Sequence, residues 1–352
     1  MGIFKDILSN SESLFLNEDA LDSDYTPPII KYRENQQAYV ANCIKPLLMG
    51  RSGKNLFISG SPGIGKTVAV THILNELKNE TEEIETIYIN CWKKDTAYKV
   101  MLEICNQINY RFTQNRSTDE LLQSITKILN KSGVVIVLDE ADKLTENSVI
   151  YSLLEDLYKK TIILIANDKT WLSDLDERIR SRLMPEILEF NAYNAEETSG
   201  ILKQRIEFAL VPNILENEAF ELISKKTYEA RDIRSGLFLL KEAANSAESE
   251  SSKRIRIAHA NKAVEKLNEF HIKKSEEFTE EELKILDFIK VNSGKAMGDI
   301  HKEYEKQSSM PYRTFFRKIK LLEKARRISL HNEGIGKVTK VIYGSEKKIS
   351  DF

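Results

Sequence analysis

The segment GSPGIGKT, residues 60–67, has the spacing of a loop that binds phosphate groups. In such a loop, backbone N–H groups surround the phosphate oxygens, and the N-terminal end of the following helix adds positive potential. An apolar run at residues 55–59 and a helical pattern at residues 67–77 argue against a chance match. We expect Lys66 to reach the β- and γ-phosphates and the Thr67 hydroxyl to reach Mg²⁺. The residues expected around the phosphates are Gly60, Ser61, Pro62, Gly63, Ile64, Gly65, Lys66, Thr67 and Val68.

Two acids and an amide follow later apolar runs of the chain. Asp139 and Glu140 come directly after the apolar residues 134–138, and Asn167 ends the stretch TIILIAND. The carboxyl end of a parallel strand lies beside the phosphate loop of the same sheet, whereas an isolated acidic pair is usually a solvated loop. We expect Asp139 to hold Mg²⁺, Glu140 to orient and deprotonate a water, and Asn167 to hold that water against the γ-phosphate. The pattern predicts hydrolysis of a nucleotide.

Arginines in two later segments could also meet phosphate. The stretch LDERIRSRL carries Arg178, Arg180 and Arg182, which could stabilise γ-phosphate charge across a subunit interface. The alternative is a solvated helix face, with nearby acids as partners. Arg231 and Arg234 lie where a helix is predicted to begin, a position that the helix dipole disfavours for cations. An anionic partner would explain them.

The elements that must position these residues alternate between strand and helix patterns. Five apolar runs predict strands (NLFIS, TIYIN, VVIVL, TIILIA and EILEF), and residues 97–108 and 119–129 predict helices between them. This order is typical of a parallel sheet with helices on both faces. After residue 191 only helical patterns remain, to about residue 270. Residues 1–24 are polar, acidic and without periodicity, and we expect them to be loosely attached.

Composition limits the class of protein. A chain of 352 residues corresponds to two or three domains at about 150 residues each. The net charge of −2 shows no global basic excess, and the three cysteines form no zinc or disulfide pattern. No apolar run approaches a membrane span, and the first residues do not form a signal peptide. We expect a cytoplasmic protein with no membrane partner.

The C-terminal segment concentrates positive charge. Between residues 311 and 340 there are nine lysines and arginines and two glutamates. On a helix, Arg313, Arg317, Lys320 and Lys324 form one stripe, opposite the apolar Phe315, Ile319 and Leu322. A solvated face is the alternative, but two helical patterns precede the stripe and two β-rich runs follow it. Helices followed by a hairpin predict a DNA-binding module.

The motifs together resemble the AAA+ ATPase family. In order, GSPGIGKT, VVIVLDEAD, ILIAND, LDERIRSRL and RDIRSGL resemble Walker A, Walker B, sensor 1, the box VII arginine finger and sensor 2. More narrowly, the chain resembles the archaeal replication initiators related to the origin recognition complex and the cell-division-control loader proteins. This second resemblance depends on DYTPPIIKYRENQ, YINCWKKDTAYKVMLEI and FNAYNAEETSGILKQR. It extends from about residue 24 to the C-terminus.

The resemblance implies an α/β fold with four parts. These are a flexible segment at residues 1–24, a P-loop AAA+ parallel-sheet core at 25–190, an all-helical lid at 191–272 and a winged-helix domain at 273–352. It implies that Arg182 is the finger and Arg234 the sensor 2 residue, although Arg178 and Arg231 stay as alternatives. It also implies that the segment around Tyr25–Arg33 cradles adenine, with nucleotide contacts from Tyr25, Arg33, Tyr193 and Arg205. The DNA contacts that it implies are Trp92, Lys93, Lys94, Lys99, Arg313, Arg317, Lys320, Lys324 and Lys337. Two residues depart from the family pattern: Ile64 stands where Thr is usual, and Arg231 where Gly is usual.

The function that the resemblance implies is an ATP-dependent initiator of DNA replication. Such a protein binds double-stranded origin DNA, uses ATP/ADP and Mg²⁺, and helps to load the replicative helicase, with other initiator subunits acting in trans. It would be cytoplasmic and associated with the nucleoid. Two alternatives remain open from the residues. An AAA+ motor or clamp loader would show fast, partner-stimulated hydrolysis, and a winged-helix transcriptional regulator would bind promoters without contacting a helicase.

Overall fold

The computed structural model describes residues 13–276, 279–308, 310–324, 328–333 and 338–343. The chain divides into two compact units, residues 1–267 and residues 268–352. Each unit has its own hydrophobic core.

A five-stranded parallel sheet forms the centre of the first unit. Its spatial order is β2-β3-β4-β1-β5, so that β1 lies between β4 and β5. Every residue of the central strand β3 is buried, as expected for an apolar strand covered on both faces. The five predicted strands are confirmed. They are β1 (Leu56–Ser59), β2 (Ile84–Asn90), β3 (Gly133–Asp139), β4 (Lys160–Ala166) and β5 (Glu186–Glu189).

Seven helices belong to this sheet domain, and they cover both of its faces. One face packs against α3, α4 and α5 through residues such as Met101, Leu121 and Ile150, and the other packs against α1 and α2 through Val40 and Leu74. The chain forms α4 where Ser117 and Glu120 make a reciprocal capping box. The helices are α1 (Glu34–Leu48), α2 (Lys66–Glu80), α3 (Ala97–Gln107), α4 (Thr118–Leu129), α5 (Ser148–Asp156), α6 (Trp171–Asp174) and α7 (Glu177–Leu183).

A helical lid follows the sheet domain. Its core consists of small and branched apolar side chains, including Leu202, Leu239 and Ala243, which have no exposed surface. Helix α8 begins at a second reciprocal capping box, formed by Asn194 and Glu197. The lid helices are α8 (Ala195–Ala209), α9 (Asn217–Ala230), α10 (Ile233–Ser249) and α11 (Ile257–Glu276).

Residues 13–24, the part of the N-terminal segment that the structure describes, do not behave as their composition suggests. Residues 13–24 are packed against the lid, so the expectation of a loosely attached segment is wrong for them. Leu14 and Leu21 are buried in the lid core, and the Leu16 N–H donates to the Ala209 carbonyl at 2.8 Å. The Lys241 ammonium lies 3.0 Å from Glu18 and 2.8 Å from Asp22. A few apolar residues between acids were enough to attach the segment, although they are too few to produce a periodic pattern.

In the described ranges from residue 279 onward, the second unit contains three helices and a two-stranded antiparallel sheet. Phe315, Ile319 and Leu322 have no exposed surface and pack with Ile285 and Ile300. The predicted apolar face of the basic helix is therefore confirmed. The elements are α12 (Glu280–Val291), α13 (Met297–Glu305), α14 (Tyr312–Lys324), β6 (Ile328–Glu333) and β7 (Val338–Tyr343).

The three cysteines Cys43, Cys91 and Cys105 are buried free thiols in the first unit. Burial raises the pKa of the Cys91 thiol to about 12, so it stays neutral at physiological pH. None of the helices in the described ranges has both the length and the apolar character of a membrane-spanning segment.

Candidate nucleotide-binding site

The phosphate loop connects β1 to α2 in a conformation that needs glycine. Gly63 and Gly65 have φ angles of 75° and 85°, in the left-handed region that other residues rarely adopt. A Cβ on Gly63 would lie 1.9 Å from Asp232 Oδ1, and one on Gly65 would lie 2.8 Å from Tyr193 Oη. The lid therefore touches the loop at two glycines. Between them, Ile64 turns its side chain into the core below the sheet.

The contact between lid and loop continues at the start of α10. The Ile233 N–H donates to the Gly63 carbonyl at 3.1 Å, and Asp232 caps the helix by accepting from the Arg234 N–H at 2.9 Å. Arg231 ends α9 with a φ of 54°, which explains why glycine suits this position. Arg234 lines the cavity described below and Arg231 does not.

The ammonium of Lys66 is held inside the loop. Its Nζ donates to the Gly60 carbonyl at 2.6 Å, the Ser61 carbonyl at 2.9 Å and Asn167 Oδ1 at 2.9 Å. Burial lowers the pKa of Lys66 from 10.5 to about 8, although the charge of Asp139 acts in the opposite direction. The structure thus brings Lys66 and Asn167 together, and the lysine occupies a site that penalises its charge.

The acidic residues meet the loop at the end of β3. Asp139 Oδ2 accepts from the Thr67 hydroxyl at 2.7 Å and from the Tyr88 hydroxyl at 2.6 Å. Glu140 has a φ of 53°, a strained value for a non-glycine residue, and such strain is common at functional sites. Burial, followed by repulsion from Asp139 and Asp142, raises the pKa of the Glu140 carboxyl. A raised pKa suits a carboxylate that accepts a proton during the reaction.

These oxygen atoms fit a Mg²⁺ ion that is shared with a bound phosphate. Mg²⁺ usually takes one or two protein oxygens and completes its shell with water and substrate phosphates. The Thr67 hydroxyl and the Asp139 carboxylate are oxygen donors of that kind, and they lie together beside the loop. Among the residues that the structure describes, no group of three or more His, Cys, Asp or Glu side chains could hold a metal ion alone.

A cavity of about 560 Å³ contains these groups and lies between the sheet domain and the lid. The sheet domain contributes Lys66, Thr67, Asp139, Glu140 and Asn167, and the lid contributes Tyr193, Arg205 and Arg234. The loop residues Pro62, Gly63, Gly65 and Val68 also line it. The cavity lining further includes residues that sequence reasoning missed, namely Lys78, Tyr88, Asn90 and Gln204. Their alternation along β2 could have identified Tyr88 and Asn90, because residues two apart on a strand share a face.

Several predicted nucleotide contacts lie off the cavity wall. The segment expected to cradle the base does line the cavity through Thr26, Pro27 and Ile30, but its end residues Tyr25 and Arg33 do not. Arg33 is buried behind the loop, where it donates to the Ile64 and Asn191 carbonyls and lies 3.9 Å from the Tyr193 ring. The Tyr25 ring lies against the Arg205 guanidinium instead. Gly60, Ser61 and Ile64 are also absent from the lining.

The predicted arginine finger lies outside the cavity of its own chain. Arg182, on α7, is exposed, pairs with Glu155 at 2.5 Å and stacks near the Tyr151 ring. Arg178 is exposed on the same helix. A role for either arginine in a neighbouring subunit's site stays a prediction.

The predicted DNA contacts in the sheet domain divide into two groups. Trp92 is 67% exposed, and Lys94 and Lys99 are surface lysines paired with Glu103 and Asp95. Lys93, whose assignment to DNA stays a prediction, is exposed and lines the nucleotide cavity. The turn after β2, capped by the Asn90 side chain, directs it there.

In the second unit, three basic side chains of the predicted DNA-binding stripe are exposed on the surface of α14. Arg313, Arg317 and Lys320 are exposed, and Lys320 pairs with Glu323 at 2.8 Å. Lys318 is buried and pairs with Glu281 at 3.0 Å, so it does not belong to the exposed stripe. The side chain of Lys324 and the whole of Lys337 lie outside the described residues.

Two family models match the first unit. A model of the AAA domain matches residues 50–171, and a model of the Cdc6 AAA+ ATPase-type lid domain matches residues 199–265. These matches fall on the sheet domain and on the lid.

Curated relatives and solved structures extend the likeness to most of the chain. The chain is 34% identical over 282 residues to the ORC1-type DNA replication protein 1 of Archaeoglobus fulgidus, covering 76% of this chain and 69% of that protein. It is 28% identical over 351 residues to the ORC1-type DNA replication protein 2 of Methanothermobacter thermautotrophicus, covering 94% and 92%. Its fold is similar to that of the Aeropyrum pernix ORC1 protein in complex with DNA, with a TM-score of 0.69, 23% identity and coverage of 95% and 94%. The ADPNP-ADP complexes of the Aeropyrum pernix ORC2 protein give a TM-score of 0.72, 20% identity and coverage of 94% and 94%.

Proposed function

The chain belongs to the family of ORC1-type DNA replication proteins and is an AAA+ ATPase of the replication-initiator class, and we propose that ATP bound in its cavity controls its engagement of origin DNA. The observation that carries this proposal is that one cavity is lined from both sides. The sheet domain contributes side chains suited to phosphoryl transfer, and the lid contributes cationic side chains. The relatives' shared description favours an initiator over a motor, a clamp loader or a transcriptional regulator.

Nucleotide binding would replace the contacts that Lys66 makes with the loop carbonyl groups. The ammonium now donates to carbonyl groups of the loop, and phosphate oxygens are stronger acceptors for it because they carry charge. Thr67 and Asp139 would hold Mg²⁺, which neutralises phosphate charge when bound. The loop N–H groups and the start of α2 would hold the remaining phosphate oxygens.

Hydrolysis would then depend on Glu140 and Asn167. Glu140, with its raised pKa, accepts a proton from the attacking water, and Asn167 holds the water beside Lys66. Arg234 adds positive charge from the lid side of the cavity. Arg182 would serve the site of a neighbouring initiator subunit.

The lid would report which nucleotide is bound. The Ile233–Gly63 hydrogen bond and the fit of Asp232 against Gly63 attach the start of α10 directly to the phosphate loop. A nucleotide that changes the loop therefore changes the lid through the same residues. ATP and ADP differ in the phosphate that Arg234 is placed to meet, so that the two nucleotides favour different lid positions.

DNA binding would use exposed cations of both units. In the second unit, three helices followed by an antiparallel pair suggest a winged helix, with Arg313, Arg317 and Lys320 of α14 directed to DNA. In the first unit, Trp92, Lys94 and Lys99 form an exposed aromatic and basic surface. The Aeropyrum pernix ORC1 protein, which has a similar fold, has been solved in complex with DNA. The replicative helicase is the partner proposed for the DNA-bound state.

The test is the affinity for duplex DNA from the replication origin and for random duplex, measured with ATP and with ADP. The parent protein is expected to prefer origin DNA and to change its affinity with the nucleotide. Lys66→Ala should bind neither nucleotide and lose the dependence, whereas Lys45→Ala, a change of an exposed lysine on α1, should behave as the parent. Equal affinities for both duplexes with both nucleotides would contradict the proposal.

A further inference from the structure

Tyr88 lies on the edge strand of the sheet, where its backbone has an unusual partner. Within the part of the chain that the structure describes, strand β2 pairs only with β3, so one side of β2 has no neighbouring strand there. On that side, the Tyr88 N–H donates to Gln107 Oε1 at 3.1 Å, and Gln107 Nε2 donates to the Tyr88 carbonyl at 2.7 Å. The side-chain amide of Gln107, at the end of α3, thus takes the place of a sixth strand at this one residue.

The Tyr88 side chain extends across the sheet to Asp139. Its hydroxyl donates to Asp139 Oδ2 at 2.6 Å, the oxygen that also accepts from the Thr67 hydroxyl. The other oxygen, Oδ1, accepts from the Glu140 N–H at 2.9 Å. Asp139 is 3% exposed, so these three donors fix the direction of its carboxylate.

The hydroxyl is the part of Tyr88 that packing alone would not require. A phenylalanine would fill the same space, but it would leave Asp139 Oδ2 with Thr67 as its only side-chain donor among the described residues. Groups that hydrogen-bond to a metal ligand orient it, and their loss typically lowers metal affinity or activity about 10- to 100-fold.

We propose that Tyr88 is a positioning residue that holds Asp139 toward Thr67 and Mg²⁺, and that Gln107 keeps Tyr88 in place from the edge of the sheet. This inference rests on the Mg²⁺–nucleotide site proposed above. It assigns Tyr88 no contact with the reacting atoms, because its hydroxyl is directed at Asp139.

The experiment measures ATP affinity of the full chain at a series of MgCl₂ concentrations and in EDTA. In EDTA, Tyr88→Phe should have the same ATP affinity as the parent. It should need about 10 to 100 times more Mg²⁺ than the parent to reach half of the increase in ATP affinity that Mg²⁺ produces. Gln107→Leu should shift the Mg²⁺ midpoint in the same direction, since the strand edge loses its partner. Tyr39→Phe is the matched control, because it removes a tyrosine–carboxylate hydrogen bond, to Glu186, at a residue that does not line the cavity.

The outcomes separate this inference from the proposed function. If Tyr88→Phe has the same Mg²⁺ midpoint as the parent, the positioning role is overturned. The proposed nucleotide site still stands in that case, because the ATP affinity of the parent depends on Mg²⁺. A parent protein whose ATP affinity is indifferent to Mg²⁺ would overturn both. An equal loss in EDTA and in Mg²⁺ would show that Tyr88 supports the fold of the cavity rather than the metal ligand, and would also overturn the role.

Discussion

Nucleotide affinity should depend on pH through Lys66. Burial holds the pKa of this lysine at about 8 instead of 10.5, while a bound phosphate would restore the charged form. Binding therefore requires a charged ammonium, and above pH 8 a growing fraction of the Lys66 side chains lacks the charge. We therefore expect the contribution of Lys66 to ATP affinity to be independent of pH below pH 8 and to decrease above pH 8.

The size of the pH effect on ATP affinity follows from the size of the pKa shift of Lys66. Between pH 8 and pH 10.5, each further unit should weaken ATP binding by about tenfold, because uptake of one proton accompanies binding. The full shift corresponds to on the order of 3 kcal/mol at 1.36 kcal/mol per unit. The same shift opposes folding in the absence of nucleotide: the penalty in folding free energy is complete below pH 8, and it disappears as the pH rises through 10.5.

The assay is an ATP titration at constant ionic strength from pH 7 to 9.5, over which the phosphates of the nucleotide are ionised (second pKa about 6). Lys66→Arg is the control, because its guanidinium stays charged over this range. It should lose the pH dependence whatever its absolute affinity. A parent affinity that stays constant to pH 9.5, or an equal decline in Lys66→Arg, would refute the explanation.

Three further predictions concern the general base Glu140, the phosphate loop and the DNA surface. Glu140→Gln should keep ATP bound and lower its hydrolysis about 10²- to 10⁴-fold in a single-turnover assay, and equal turnover would place the base elsewhere. Gly63→Ala should weaken ATP binding, because an alanine at a φ of 75° costs about 1–2 kcal/mol and its Cβ would clash with Asp232. Adding Asp232→Ala should recover part of the lost affinity, and a double variant with no recovery would show that the clash is not the cause. On α14, Arg317→Ala should reduce the preference for origin over random duplex, and Lys320→Ala should weaken both and lower the salt slope by about one; unchanged affinity and slope in both would indicate a solvated face.

Much of the sheet domain could be predicted from the sequence because its signals are local. The run at residues 134–138 is apolar throughout, and it forms the strand β3 that is buried along its whole length. The spacing of the phosphate loop predicted a turn between a strand and a helix, and its glycines have the φ angles that such a turn needs. On α14, helical periodicity separated the buried Phe315 from the exposed Arg317.

Other features depend on which distant segments meet, and only the tertiary structure decided them. Arg33 and Lys93 are cations in loops or at helix ends, and nothing local indicates that Arg33 is buried behind the phosphate loop while Lys93 lines the cavity. The direction of a loop side chain is set by the elements packed around it, which are remote in sequence. The same reason applies to the donation from Tyr88 to Asp139, 51 residues apart, since it requires the β2–β3 register. Sequence alone determined which chemical groups are available and which strands and helices carry them, whereas long-range packing decided which of those groups share one cavity.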